Sequence, residues 1–393
     1  MSRVAIVSAK RTAIGSFGGS LKDIPAATLG AEVVKKSLEE INLSPTLVDE
    51  VIFGNVLGAG LGQNIARQIA IFAGIPQEKS AFVVNKVCGS GLKSVVLGAQ
   101  SILLGDNDIV VCGGVENMST APYYTKDARF GAKLGNFELE DSIIHDGLTD
   151  AFKNYHMGIT AENIAEQFFI SRKQQDEFAT LSQQKASTAI EKGKFSNEIV
   201  PITIKTRKEE KVFDTDEFVR PSTNLESLAK LRPAFKKDGT VTAGNASGIN
   251  DGAACVILMS EKRASELGIN ILGFIDGYAT AGLDNKVMGL GPIPATRKVL
   301  DKLNLTTDDI DLFELNEAFA AQSIAVLNEL NLDTSKVNIN GGAIALGHPI
   351  GASGCRILVS LVHELINENK NRGLCSLCIG GGQGISVVIT RLS

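Results

Sequence analysis

The stretch "CGSGLKSVVLGAQSILLG" (88–105) returns in altered form as "GASGCRILVSLVHELINEN" (351–369), and that echo decides the fold. Both carry Ser-Gly at the same point and continue as an apolar helix. In the first, Leu92, Val95, Val96, Ala99, Ile102 and Leu103 fall on one face and Gly105 ends the run. The segments that follow also agree: "IVVCGGVEN" (109–117) and "LCSLCIGGGQG" (374–384) are apolar strands running into a glycine cluster. Ahead of the first copy, strands at 4–9, 48–56 and 81–87 alternate with helices at 26–42 and 61–76. The second copy has strands at 271–282 and 336–342, a helix at 295–304 and a strand-to-helix run at 310–330. The expected fold is α/β, two copies of one unit on a largely parallel sheet.

The copies differ in one place. In the second, the glycine cluster leads almost directly to a last strand, "ISVVITRL" (385–392). In the first, the matching strand "AACVILMS" (253–260) comes only after residues 119–249. That segment reads as an inserted loop domain between an N-terminal half (1–118 plus 250–269) and a C-terminal half (270–393). It is rich in charge, holds His145, His156 and basic clusters such as "KTRKEEK" (205–211), and insertions on a rigid sheet are where binding function concentrates.

At 393 residues the chain needs more than one core, and 44% hydrophobic with 21% charged residues is the balance of a globular protein. A net charge of −5 gives no general reason to expect nucleic acid or an anionic membrane as partner. Six cysteines spread over the chain are too sparse for a disulfide scaffold and read as reduced thiols. No signal-peptide pattern, terminal address or apolar run of membrane-span length is expected, so the expected compartment is the cytoplasm.

Cys88 stands between a strand and a helix. At a helix start, unpaired N–H groups and the positive dipole end would stabilise a thiolate, and Gly89 and Gly91 would let a substrate reach the backbone. The competing reading is a packed core cysteine. His348, in "NGGAIALGHPIGASG" (340–354), occupies nearly the matching position of the second copy, so two pseudo-symmetric loops would form a Cys–His pair that generates a thiolate. A loop histidine held by local hydrogen bonds is the alternative. Cys378 ends a strand before "IGGGQG", beside the N–H groups of Gly380 and Gly381. With Cys375 it spells Cys-x-x-Cys, but residues three apart on a strand face opposite ways and no second pair completes a metal site. "GNVLGAGLGQN" (54–64) begins a dinucleotide fingerprint at Gly58 and Gly60 and breaks it at Gln63. In "ELNEAFAA" (314–321), Asn316 is a helix N-cap or a functional amide.

Together, "NKVCGSGLKSV", "NEAFAAQ", "NGGAIALGHPIGASG" and "LCIGGGQG" resemble the four signature regions of the thiolase family in order and spacing. The similarity runs over nearly the whole chain, including "YHMGITAENIAEQ" (155–167) and "VTAGNASGINDGAA" (241–254), and is nearest to the short-chain branch. It implies a layered αβαβα core and acetyl-CoA C-acetyltransferase activity, joining two acetyl-CoA into acetoacetyl-CoA and CoA. By resemblance Cys88 is the nucleophile, His348 its activator and Cys378 the acid/base. Asn316, through a water, belongs with His348 to one oxyanion hole, and the N–H groups of Cys88 and Gly380 form the other. His156, Met157, Arg220, Ala243, Ser247 and Ala318 are implied contacts to CoA, with Arg220 on phosphate and Ser247 on pantetheine. Met157, Met288 and Phe319 are implied to close a short acyl pocket. No metal and no cofactor are expected, CoA being substrate and product, and a homotetramer is implied, with part of the insertion at the contact. A broader-chain 3-ketoacyl-CoA thiolase is the near alternative. A ketoacyl synthase shares the fold but lacks the counterparts of Cys378 and Asn316, and a Cys-x-x-Cys redox or metal protein is the reading from another class.

Overall fold

Strand β1 (Val4–Thr12) is buried along its whole length, and its alternate side chains enter two different cores. Ala5 and Val7 face one way and Val4 and Ile6 the other, as the two-residue period of a strand buried on both sides requires, and the register shift between Ile6 and Ser8 returns Ala9 to the side of Ile6. The computed structural model describes residues 3–205 and 209–391. After β1 come α1 (Ala26–Glu40), β2 (Glu50–Gly54), α2 (Ile65–Phe72), β3 (Ser80–Val84), α3 (Ser90–Leu104) and β4 (Ile109–Asn117). Residues 118–249 follow, with helices α4 (Met157–Gln167) and α5 (Arg172–Glu191), before β5 (Asn250–Ser260). The second half runs β6 (Gly273–Gly282), α6 (Pro292–Leu303), β7 (Leu312–Leu315), α7 (Ala320–Glu329), α8 (Ile350–Asn367), β8 (Arg372–Ile379) and β9 (Gln383–Thr390).

The strands join in one path, β7-β8-β9-β6-β1-β5-β4-β2-β3. Helices α3 and α8 pack between its two halves, and α1 with α2, and α6 with α7, cover the outer faces. The order helix, sheet, helix, sheet, helix is the layered αβαβα core. The sheet is not largely parallel, however. β1 with β5 and β6, β5 with β4, β6 with β9 and β8 with β9 are antiparallel, whereas β2 with β3 and β4, and β7 with β8, are parallel. Alternation of strand and helix does not fix direction for the last strand of each half, which returns on its predecessor without a crossover. In the second half that return is the short turn at 380–382; in the first, the whole of 118–249 occupies it.

The expected strand at 336–342 is also absent. Only Val337 bridges to Phe313, and Asn338 turns away with φ +44°. Its side chain replaces the missing strand: Asn338 Oδ1 accepts from the Leu315 N–H at 2.8 Å and Nδ2 donates to Leu315 O at 2.9 Å. An amide offers one donor and one acceptor side by side, so it closes the sheet edge as a peptide group would.

The echoed helices meet where the Ser-Gly pairs predict symmetry. A Cβ on Gly91 would lie 2.8 Å from Cys355 N, and one on Gly354 would lie 2.5 Å from Leu92 N. Each glycine thus rests on the backbone just past its counterpart. Helix α8 is buried on every side from Ile350 to Leu365, as a helix between two sheets must be. The window Val87–Leu104, 18 residues at mean hydropathy 1.4, reaches membrane-span composition against expectation; most of it is α3, packed in the middle layer. Arg11 ties β1 to the insertion: buried, it donates to Glu198 at 2.5 Å and to both Asp216 oxygens at 2.7 and 2.9 Å. Of "KTRKEEK", residues 206–208 lie outside the described residues; Lys205 pairs with Glu210 at 3.7 Å.

Candidate active site

A cavity of about 350 Å³ opens at the β3–α3 turn, and every catalytic or substrate-binding residue implied by the thiolase resemblance except Asn316 lines it. Cys88 is presented by a tight turn. Val87 takes φ +47°, Ser90 Oγ accepts from the Lys86 N–H at 2.8 Å and donates to Val87 O at 2.6 Å, and α3 starts only at Ser90, with Gly89 as its N-cap. Cys88 therefore stands ahead of the helix rather than in its first turn. The flanking glycines face protein, not the cavity: a Cβ on Gly89 would lie 2.5 Å from Ile379, and Gly91 lies against α8. Their role is close packing of the turn. Burial, with a smaller contribution from Glu116, pushes the Cys88 thiol up to about 11, opposed by N–H donation from Gly380 and from Cys88 itself. Desolvation thus outweighs the backbone N–H groups that favour the thiolate.

His348 precedes α8. Its N–H donates to Asn250 Oδ1 at 2.9 Å, and its Nδ1 lies 2.6 Å from Ser353 Oγ. Ser353 donates its own hydrogen to Pro349 O at 2.9 Å, so Nδ1 carries the imidazole proton and Nε2 keeps the lone pair. Burial lowers the ring's pKa to about 3, which keeps it neutral and able to accept. Asn316 sits behind, its Nδ2 3.5 Å from His348 Nδ1 and its N–H bonded to Ser376 O at 3.0 Å. It is not an N-cap, since α7 begins four residues later, at Ala320, with Phe319 in that place. Its Oδ1 is buried with no protein partner among the described residues, the setting of a buried water.

Cys378 is the penultimate residue of β8, and burial raises its thiol, with the neighbouring Cys88 adding to the shift. It clusters with Met157, Met288, Ala318 and Phe319, whereas Cys375 belongs to the core between the sheets. Cys-x-x-Cys is thus split between two faces, and among the described residues no group of three or more His, Cys, Asp or Glu side chains could hold a metal. At the other end of the cavity, His156 caps α4, its Nδ1 accepting from the Gly158 N–H at 3.0 Å. Arg220 is exposed at the mouth with its guanidinium 5.3 Å from the Phe218 ring. Ala243 and Ser247 line the opposite wall, where the Ser247 N–H donates to Ala318 O at 3.0 Å and straps the insertion to the second half. His145 is elsewhere, bonded to Tyr124 and Asp146.

Two residues escaped the sequence. Phe235 stacks on His156 with ring centroids 4.5 Å apart and meets Phe319 edge-on; nothing in "RPAFKKDG" marks it. Glu116, buried at the end of β4, could have been flagged only as a lone carboxylate in an apolar strand.

Fold and cavity together define an enzyme of acyl transfer, in which two thiols and an imidazole meet in an apolar cavity inside a duplicated, layered core. The thiolase N-terminal domain matches residues 4–262 and the thiolase C-terminal domain residues 269–391, and the chain belongs to the thiolase family. It is 57% identical over 392 residues to an acetyl-CoA acetyltransferase of Pseudomonas aeruginosa and 56% to one of Cupriavidus necator, covering all of each chain. Among solved structures, the acetyl-CoA acetyltransferase of Bacillus anthracis superposes with a TM-score of 0.98 at 46% identity, covering 100% of this chain and 99% of that one. The human mitochondrial 3-ketoacyl-CoA thiolase superposes at 0.97 and 47%, with the same coverage.

Proposed function

We propose that the chain is an acetyl-CoA acetyltransferase that reversibly joins two acetyl-CoA into acetoacetyl-CoA and CoA. The observation that carries this reading is the convergence of Cys88, His348 and Cys378 on one apolar cavity closed by Met157, Met288 and Phe319. Nε2 of neutral His348 takes the Cys88 proton, and the sulfur attacks the thioester carbonyl. The N–H groups of Cys88 and Gly380, which already point at that sulfur, meet the developing oxyanion. CoA leaves with a proton from Cys378, and an acetyl group remains on Cys88. Cys378, now a thiolate, removes an α-proton from a second acetyl-CoA. His348 and a water held by Asn316 stabilise the enolate oxygen, and the new C–C bond forms as the Cys88 thioester breaks. Loss of one preorganised donor in such a site costs roughly 10²–10³ in rate, which is why the oxyanion partners matter as much as the thiols.

For CoA, Arg220 is suited to a phosphate at the mouth, while His156, Ala243 and Ser247 line the route inward. Residues 119–249 are read as the inserted CoA-binding domain, and the protein as a cytoplasmic homotetramer. Likeness to the 3-ketoacyl-CoA thiolase supports a second reading, with longer acyl chains accepted. Steady-state thiolysis of acetoacetyl-CoA against longer 3-ketoacyl-CoA decides between them. Cys88→Ala tests the mechanism itself: it is expected to lose thiolysis and covalent labelling by radioactive acetyl-CoA, and retained thiolysis would overturn it.

A further inference from the structure

Glu116 takes no part in the chemistry above, does not line the cavity, and yet is buried between the loop after β2, against which Cys88 packs, and the start of the helix that follows His348. Its Oε2 accepts from the Val56 N–H at 3.0 Å and from the Gly351 N–H at 2.9 Å, and its Oε1 accepts from Asn55 Nδ2 at 2.8 Å and the Leu57 N–H at 3.1 Å. Gly351 belongs to the first turn of α8, three residues past His348; residues 55–57 follow β2. A single carboxylate thus joins a loop of the first half to the helix start of the second.

The side chains on that clasp bear on the nucleophile. Val56, Leu57 and Ile350 form one apolar cluster, and Cys88 packs against it. The clasp is also built to fit: a Cβ on Gly351 would lie 2.5 Å from Glu116 Oε2, so the close approach needs a glycine there. Four donors directed at one buried carboxylate exceed what holding a strand end requires, and charge-assisted bonds of this kind are stronger and geometrically narrower than neutral ones.

We infer that Glu116 is a positioning residue for the acyl-transfer reaction, fixing how the Cys88 turn faces the His348 helix by clamping residues 55–57 to Gly351. The inference rests on the reading of Cys88 and His348 as nucleophile and base. A carboxamide in place of the carboxylate keeps the volume but sets an NH₂ against backbone or Asn55 donors, so the two loops separate by a fraction of an ångström. Misplacement on that scale is expensive when reacting atoms must sit at near-attack distance, about 10²-fold for 1 Å.

The test compares steady-state thiolysis of acetoacetyl-CoA by the wild-type protein, Glu116→Gln and Asn55→Ala. Glu116→Gln is expected to lower kcat by about 10–100-fold with KM changed less than about threefold, because Glu116 does not line the cavity that receives CoA. A kcat within twofold of wild type overturns the inference, as does a loss in kcat/KM due mainly to KM, the mark of a loosened cavity. Should Glu116→Gln not fold, Asn55→Ala removes one donor and leaves the Gly351 bond. It is expected to lower kcat about 3–10-fold at unchanged KM, and an unchanged kcat overturns the inference. A wild-type protein inactive on acetoacetyl-CoA would instead overturn the proposed function.

Discussion

At the scale of single residues, the two thiols are separable by experiment because the proposed mechanism gives them different roles at neighbouring places. Cys378→Ala is expected to acetylate at Cys88 in single-turnover labelling and yet to fail in condensation; normal condensation would contradict the assigned base. The imidazole leaves a thermodynamic mark as well. His348 is lowered to about 3 by burial, so between pH 3 and 6.5 the unfolded chain binds a proton that the folded one does not. Stability contributed at that position is present above the unfolded pKa and falls as pH drops, by about 1.4 kcal/mol per unit. The stability gap between wild type and His348→Gln in urea should shrink by about 2 kcal/mol from pH 7 to pH 5; a constant gap would mean that the ring titrates in the fold as it does in the unfolded chain. Cys88, His348 and Cys378 were legible because each stands beside glycines at the end of an apolar element. Glu116 and Phe235 were not, since a side chain whose partners are distant in sequence has no local pattern.

At the scale of elements, the crossing of α3 and α8 is held by backbone approaching backbone. Gly354→Ala must move Leu92 backbone, and Gly91→Ala must move Cys355 backbone, neither of which is a flexible side chain. Each is expected to destabilise the protein by about 1–3 kcal/mol in denaturant unfolding and to reduce activity beyond what the lost folded fraction explains. An Ala variant of wild-type stability would mean that the helices slide freely. The duplication itself was readable because the repeated Ser-Gly marks this crossing in both copies. Strand direction was not readable, because a hydrophobic period of two is the same in either direction. Nor was the loss of the strand at 336–342: "KVNING" has strand composition, and only the side chain of Asn338, folded back onto Leu315, takes the place of the pairing.

At the scale of the whole molecule, the insertion is fastened to the core by charge as well as by apolar packing. Arg11, with Glu198 and Asp216, is a buried triad, and such groups are costly to break because removing one member strands the others. Arg11→Met is expected to cost about 3–5 kcal/mol and to make the insertion the first region cut in limited proteolysis; unaltered protease resistance would show that the insertion holds without it. The closed edge at Asn338 has a further consequence. A sheet with two bare margins can recruit strands at both and grow without limit. Here the nine-strand path offers a terminal strand at one margin only, Ser80–Val84, while the other is sealed by a carboxamide. Edge-to-edge addition to the native sheet is therefore open at Ser80–Val84 and opposed at Leu315, whose N–H and C=O are already taken.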